Sequence, residues 1–261
     1  MTHPFFAGTP LPRVFAHRGL VTADAAQHGV VENSFAAVAA AHAAGAVFVE
    51  SDCHLTRDGV VVLFHDDDLS RVTGDPRKIA DVSAAELDDL MADRGGLITL
   101  AQALDSFPDV RFNLDVKAEA AAVPVGRVVA PHAGRVLVTS FSDERRLTAL
   151  QAAADAGAAI RPATSAGRRG MLEFLTALTL RSNRLAVRML RDVDALQIPE
   201  RQGPIRVLSP RLLAAAHLAE VEVHVWTINE APEMQRLIEL GCDGIVTDRA
   251  DLALEVLHGA R

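Results

Sequence analysis

Glu50 and Asp52 stand two residues apart in residues 47–66, a run of β-branched and apolar residues. A strand alternates its faces, so both carboxylates point one way while Val47, Val49, Ser51 and Cys53 point the other. Two unpaired buried carboxylates are costly, and a cation between them removes the cost. The chain then turns at Arg57, Asp58 and Gly59, a hairpin-type signal, and runs back to His65 and Asp66. Residues 112–117, FNLDVK, repeat the pattern: Asn113, Asp115 and Lys117 share one face, Phe112, Leu114 and Val116 the other. Three carboxylates of this kind suit a hard divalent ion, Mg²⁺ or Ca²⁺, better than zinc, which more often recruits His or Cys.

Charge bookkeeping then points to a substrate. Three carboxylates, one divalent ion, Arg18 and Lys117 leave one positive charge, which a phosphodiester monoanion neutralises. Arginine offers a fork for phosphate oxygens and lysine a point charge. His17 and His65, one on each side of a phosphorus, could serve as general base and general acid near neutral pH. Phosphodiester cleavage is the reaction this set fits.

The elements that must position these groups alternate strand and helix throughout. Polar residues gather at the C-terminal ends of short strands, as in a parallel sheet covered by helices. The chain is 261 residues long, the size of one closed (β/α)₈ barrel, whose active site lies at the C-terminal mouth. Nine strand candidates compete for eight places. The surplus is either one of two weak segments near residues 160 and 196, or the return at 60–65. Residues 171–190 read as one helix packed on the sheet, with a membrane-surface role as the second reading. A single domain over 1–261 is expected, with a small rim insertion at about 67–110 after the third strand. Ser83 and Glu86 in that insertion have capping-box spacing.

With 49% hydrophobic residues the chain can fill a core, and a formal net charge of −8 argues against a nucleic-acid partner. No segment reads as membrane-inserted. The two cysteines, Cys53 and Cys242, read as inert reduced thiols, and with no secretory signal the expected location is cytoplasmic.

The ordered motifs resemble one family. His17-Arg18-Gly19, Glu32-Asn33-Ser34, the Glu50/Asp52 pair, His65-Asp66, the NxDxK of 113–117, the WTIN of 226–229 and the DGIVTD of 243–248 follow the order seen in glycerophosphodiester phosphodiesterases. The resemblance runs from about residue 14 to 248. It implies a TIM barrel that hydrolyses small-molecule glycerophosphodiesters to sn-glycerol 3-phosphate and an alcohol with a divalent cation. By position it implies Glu50, Asp52 and Asp115 as metal ligands, His17 and His65 as the acid–base pair, Arg18 and Lys117 on the phosphate, and Trp226 as a wall of the glycerol pocket. It also implies attack by the glycerol 2-hydroxyl through a cyclic phosphate; the sequence leaves open which histidine is acid and which is base, and the expectation taken forward is that His65 protonates the leaving alcohol while His17 serves the nucleophile. Asp115 stands where the family usually has Glu, one methylene longer, and the insertion falls where the glycerol or alcohol end would be met.

Three rival readings share these residues. A phospholipase D-like or phosphatidylinositol phospholipase C-like lipid phosphodiesterase would use the same barrel. A non-catalytic phosphodiester-binding homologue would keep the fold but has no need of two histidines. Glu50 and Asp52 could also form a purely structural ion cluster with Arg18 and Lys117.

Overall fold

In the computed structural model, which describes residues 2–259, eleven strands form. They are β1 (Arg13–His17), β2 (Phe48–Leu55), β3 (Val61–Leu63), β4 (Arg111–Val116), β5 (Val136–Thr139), β6 (Ala163–Thr164), β7 (Ala195–Pro199), β8 (Arg201–Gln202), β9 (Ile205–Arg206), β10 (Glu222–Trp226) and β11 (Gly244–Thr247). Eight are parallel and lie in the order β6-β5-β4-β2-β1-β11-β10-β7. The seam between β6 and β7 is bridged where Ser165 faces Ala195 and the Asp194 amide donates to the Thr164 carbonyl at 2.8 Å. The result is a nearly closed TIM barrel with helices outside, as the strand–helix alternation implies.

The ninth strand candidate is the return. β3 pairs antiparallel with β2 outside the barrel path, while the weak segments near 160 and 196 are the true β6 and β7. β6 is only two residues long, which explains its faint signal. The helix expected over 171–190 is two helices, Arg168–Thr179 and Asn183–Leu190. They separate at Arg181, whose φ of 54° ends the helical run; Ser182 then caps the second. Among the described residues no helix is long and apolar enough to cross a membrane.

Two hydrophobic layers divide the strand faces. Val49 and Cys53 of β2, Phe112, Leu114 and Val116 of β4, and Val223 and Val225 of β10 all join the large core between barrel and helices. Inside the barrel lie Phe15, Phe48, Leu137 and Val246, plugged by Phe5 and Phe6 of the N-terminal segment. Arg111 ties that plug down by donating to the carbonyls of Phe5 and Ala7 at 2.7 and 2.8 Å. The phase read from β2 and β4 is therefore right, and the plug is an addition to it.

The insertion packs through its own small core, in which Leu69, Ile79, Leu87 and Met91 meet Val62 and Phe64. Ser83 and Glu86 form the capping box expected of them, and the structure adds a second one at Thr99 and Gln102. Cys53 and Cys242 are buried, free thiols; burial pushes the Cys242 thiol up to about 12.

Candidate active site

Strand register brings the acids together. In the β1–β2 ladder His17 faces Glu50, and in the β2–β4 ladder Glu50 faces Asn113 and Asp52 faces Asp115. Inward-facing residues on adjacent parallel strands form a layer at the C-terminal end, so these side chains floor the mouth. A cavity of about 760 Å³ there is lined by all eight expected residues: His17, Arg18, Glu50, Asp52, His65, Asp115, Lys117 and Trp226.

The turn after β1 is built for this. Arg18 adopts φ 58° and its amide donates to the Glu50 carbonyl at 2.8 Å, which aims its side chain across the end of β2. Gly19 follows at φ 88°, and a Cβ there would meet the Ala37 carbonyl carbon at 2.6 Å. The HRG glycine is thus required twice, by its dihedral and by the helix Phe35–Ala43 pressed against it.

Both histidines are oriented through Nδ1. His17 donates from Nδ1 to Asp248 at 2.6 Å, and Asn229 holds the other Asp248 oxygen at 2.8 Å. His65 donates from Nδ1 to Asp66 at 2.6 Å, and Arg71 holds Asp66 at 2.6 Å. A carboxylate on Nδ1 fixes the tautomer and leaves Nε2 as the working nitrogen. For His17 that atom lies 3.8 Å from Glu50. Burial lowers the His17 imidazole, but the Asp248 hydrogen bond and the Glu50 charge outweigh it and raise it above its ordinary value.

The acids are unequal. Asp52, nearly fully buried, takes Lys117 Nζ at 2.9 Å, Arg18 Nε at 3.2 Å and the Asn33 amide at 3.1 Å. Burial pushes its carboxyl up, yet Lys117 and Arg18 win and hold it low. Glu50 has no such cation: burial, reinforced by Asp52, pushes it up to about 8. Asp115 accepts Lys117 Nζ at 2.7 Å through one oxygen, but burial still leaves it raised. The second Asp115 oxygen, Glu50 Oε2 and Asn113 Oδ1 are buried without a hydrogen-bond partner. Buried acceptors left bare are uncommon and expensive.

Bare carboxylate oxygens fit a hard divalent cation by their chemistry. Their present spacing is a different matter. Among the described residues no group of three or more His, Cys, Asp or Glu side chains stands ready to hold an ion, and the Lys117 ammonium lies between Asp52 and Asp115. Lys117 and Arg18, expected on a phosphate, are each engaged with Asp52. Glu32 links Arg18 at 2.8 Å to Arg71 at 2.7 Å, so a chain of ion pairs runs from His65 through Asp66, Arg71, Glu32 and Arg18 to Asp52.

Several site residues escaped the sequence reading. Asn33 is a buried bridge between Asp52 and Ser51, whereas Ser34 is the helix cap beside it. Asp248 belongs to the DGIVTD run and Asp66 to the HD pair, so both were visible as motif but not as orienters. Arg71 lies in the insertion and carried no signal. Trp226 meets Phe141 edge to face at 6.2 Å between centroids, and Phe141 lies 5.8 Å from Lys117 Nζ, closing one wall of the cavity.

Comparison with known proteins places these features in context. The profile of the glycerophosphoryl diester phosphodiesterase family matches residues 17–252. A Mycobacterium tuberculosis protein named "Probable glycerophosphodiester phosphodiesterase 2" is 37% identical over 250 residues, covering 93% of this chain and 89% of that one. A human protein named lysophospholipase D is 25% identical over 270 residues, covering 87% and 82%. A glycerophosphodiester phosphodiesterase structure from Thermotoga maritima superposes with a TM-score of 0.70 at 25% identity, covering 95% and 99%. A phosphodiesterase structure from Oleispira antarctica, complexed with the product sn-glycerol-3-phosphate, gives 0.70 at 22% identity, covering 95% and 97%.

Proposed function

The chain belongs to the glycerophosphoryl diester phosphodiesterase family, and on that premise we propose that its barrel mouth hydrolyses a free, small-molecule glycerophosphodiester to sn-glycerol 3-phosphate and an alcohol. The class is phosphoric diester hydrolase. The supporting observation is the convergence of two Nδ1-anchored histidines, two cationic side chains and three buried carboxylates on one cavity. The barrel and its insertion act as one functional unit, in the cytoplasm.

Glu50, Asp52 and Asp115 would hold the divalent ion, Mg²⁺ or Ca²⁺. Bound there, such an ion supplies positive charge to the phosphoryl oxygens and acidifies a neighbouring hydroxyl. Lys117 and Arg18 would supply the positive charge that meets the non-bridging phosphate oxygens. His17, backed by Asp248, takes the proton of the glycerol 2-hydroxyl through Nε2 as that oxygen attacks phosphorus. His65, backed by Asp66, gives its proton to the departing alkoxide as the phosphorus–oxygen bond breaks. The cyclic phosphate that results is opened by water in the reverse sense: His65 takes the proton of water and His17 returns one to the 2-oxygen. The sum is one water consumed and one phosphate ester bond cleaved. Trp226 forms a wall of the glycerol pocket.

Incubation with glycerophosphocholine or glycerophosphoethanolamine, with and without Mg²⁺ or Ca²⁺, tests this reading. Glycerol 3-phosphate should appear only with the ion; none with any diester and either ion would refute it. A second reading, a lipid phosphodiesterase acting on lysophospholipids, draws support from the apolar side of the same cavity. Met171, Leu172, Leu175, Ile198 and Val207 line it, and one relative bears the name lysophospholipase D. Faster turnover of lysophosphatidylcholine than of glycerophosphocholine would favour it.

A further inference from the structure

Three large apolar side chains stand exposed on one rim of the catalytic cavity. Phe141 is 47% exposed, Leu172 66% and Ile205 65%, and all three line that cavity. They come from separate elements: the end of β5, the helix Arg168–Thr179, and the β8–β9 hairpin. Single exposed apolar residues are ordinary, but a cluster around one opening marks a contact surface.

Arginine stands beside two of them. Arg168 lies over the Phe141 ring at 4.9 Å. In the hairpin Arg201 faces Arg206 across the ladder, and Ile205 faces Gln202, so the two guanidinium groups share one face and the apolar residue takes the other. From Arg168 to Arg206 the sequence carries eight arginines against four acids, in a chain whose net charge is −8. Those acids are occupied: Glu173 with Arg169, Asp192 with Arg191, Asp194 with Arg161, and Glu200 with Arg236 at 2.7 Å. Glu200 also lies 3.9 Å from Arg206. The segment that supplies Leu172 and Ile205 is thus basic in an acidic chain, and Arg168, Arg201 and Arg206 are the members of it beside Phe141 and Ile205.

We propose that this rim docks the mouth onto an anionic lipid surface. Hydrocarbon receives Ile205, Leu172 and Phe141 at the level of the acyl chains, while the arginines meet the lipid phosphates, the arrangement of an interfacial rather than a spanning contact. A nucleic acid would satisfy the arginines but leave the apolar residues without use. The inference does not depend on the hydrolytic reading, because soluble-substrate turnover and vesicle binding are measured separately.

Co-sedimentation of the whole chain with vesicles of phosphatidylcholine alone, or of equal parts phosphatidylcholine and phosphatidylglycerol, tests the surface. The anionic vesicles should bind at least about tenfold more protein, and raised salt should weaken that binding. The double variant R201E/R206E should lose about tenfold of the binding and keep its rate on soluble glycerophosphocholine. Leu172→Ser should weaken vesicle binding without changing its salt dependence. Absence of binding to anionic vesicles, or binding that R201E/R206E leaves intact, overturns the proposal. So does a stable dimer in light scattering that R201E/R206E dissociates, since a second copy of the chain would then be the occupant.

Discussion

Lys117 Nζ lies 2.7 Å from Asp115 Oδ2 and continues to Asp52 at 2.9 Å, so one ammonium spans two acids of adjacent strands. Removing it should therefore expose the need for a cation. For Lys117→Met without divalent ions, Asp115 loses its ion-pair partner and Asp52 keeps only Arg18 and Asn33, a change that costs about 3–5 kcal/mol for a buried pair. The expected loss in Tm is on the order of 6–20 °C, read by calorimetry in EDTA. Added Ca²⁺ or Mg²⁺ should recover most of it. A Tm indifferent to the ion would detach Lys117 from the metal site.

Glu50 gives a pH dependence with a definite sign. Its carboxyl is raised from 4.5 to about 8, so between those values the folded chain holds a proton that the unfolded chain has released. Stability must then fall as pH rises through that window. His17, also raised, acts in the same direction: its contribution is present below its ordinary value and lost as pH rises through the folded one. Thermal unfolding of the ion-free protein from pH 5 to about 8 should show this decline, and Glu50→Gln should flatten it. A wild-type Tm that climbs across the same range contradicts the burial of Glu50 without a cation.

Arg71 ties the insertion to both sides of the site, pairing with Asp66 behind His65 and with Glu32 behind Arg18. Arg71→Ala should lower kcat by about tenfold, equivalent to about 1.4 kcal/mol in the transition state, with a smaller change in KM. Arg71→Lys should recover part of the loss, because a point charge can serve one carboxylate but not the fork. Unchanged kcat in Arg71→Ala would show that Asp66 holds His65 unaided.

Gly19→Ala tests the turn that delivers Arg18. Positive φ and a Cβ only 2.6 Å from the Ala37 carbonyl carbon make the substitution strained on two counts. It should destabilise by roughly 2–4 kcal/mol, visible in urea unfolding at unchanged m-value. A neutral substitution would mean the helix Phe35–Ala43 can retreat.

The strand faces carrying Glu50, Asp52, Asn113, Asp115 and Lys117 were legible in the sequence because a period of two is a local property. So was the helix cap at Ser83. What escaped depends on distance along the chain. Phe5 and Phe6 become a barrel plug only when the strands close around them. Asp248 reaches His17 across 231 positions, and Arg71 acquires its role only once the insertion folds back over the mouth. The two-residue β6 is defined by its neighbours rather than by its own pattern, and the break at Arg181 hides inside a continuous apolar rhythm.

Leaving-group dependence most directly probes the proposed division of labour, in which His65 protonates the leaving oxygen while His17 serves the nucleophile. The measurement is kcat/KM for His65→Ala on glycerophosphocholine and on the p-nitrophenyl diester of glycerol phosphate, whose phenolate departs without a proton. His65→Ala should lose about 10²–10⁴ on the choline diester and keep near wild-type rates on the nitrophenyl diester, while His17→Ala loses rate on both. Equal losses for His65→Ala on the two substrates, or no loss on either, would contradict it.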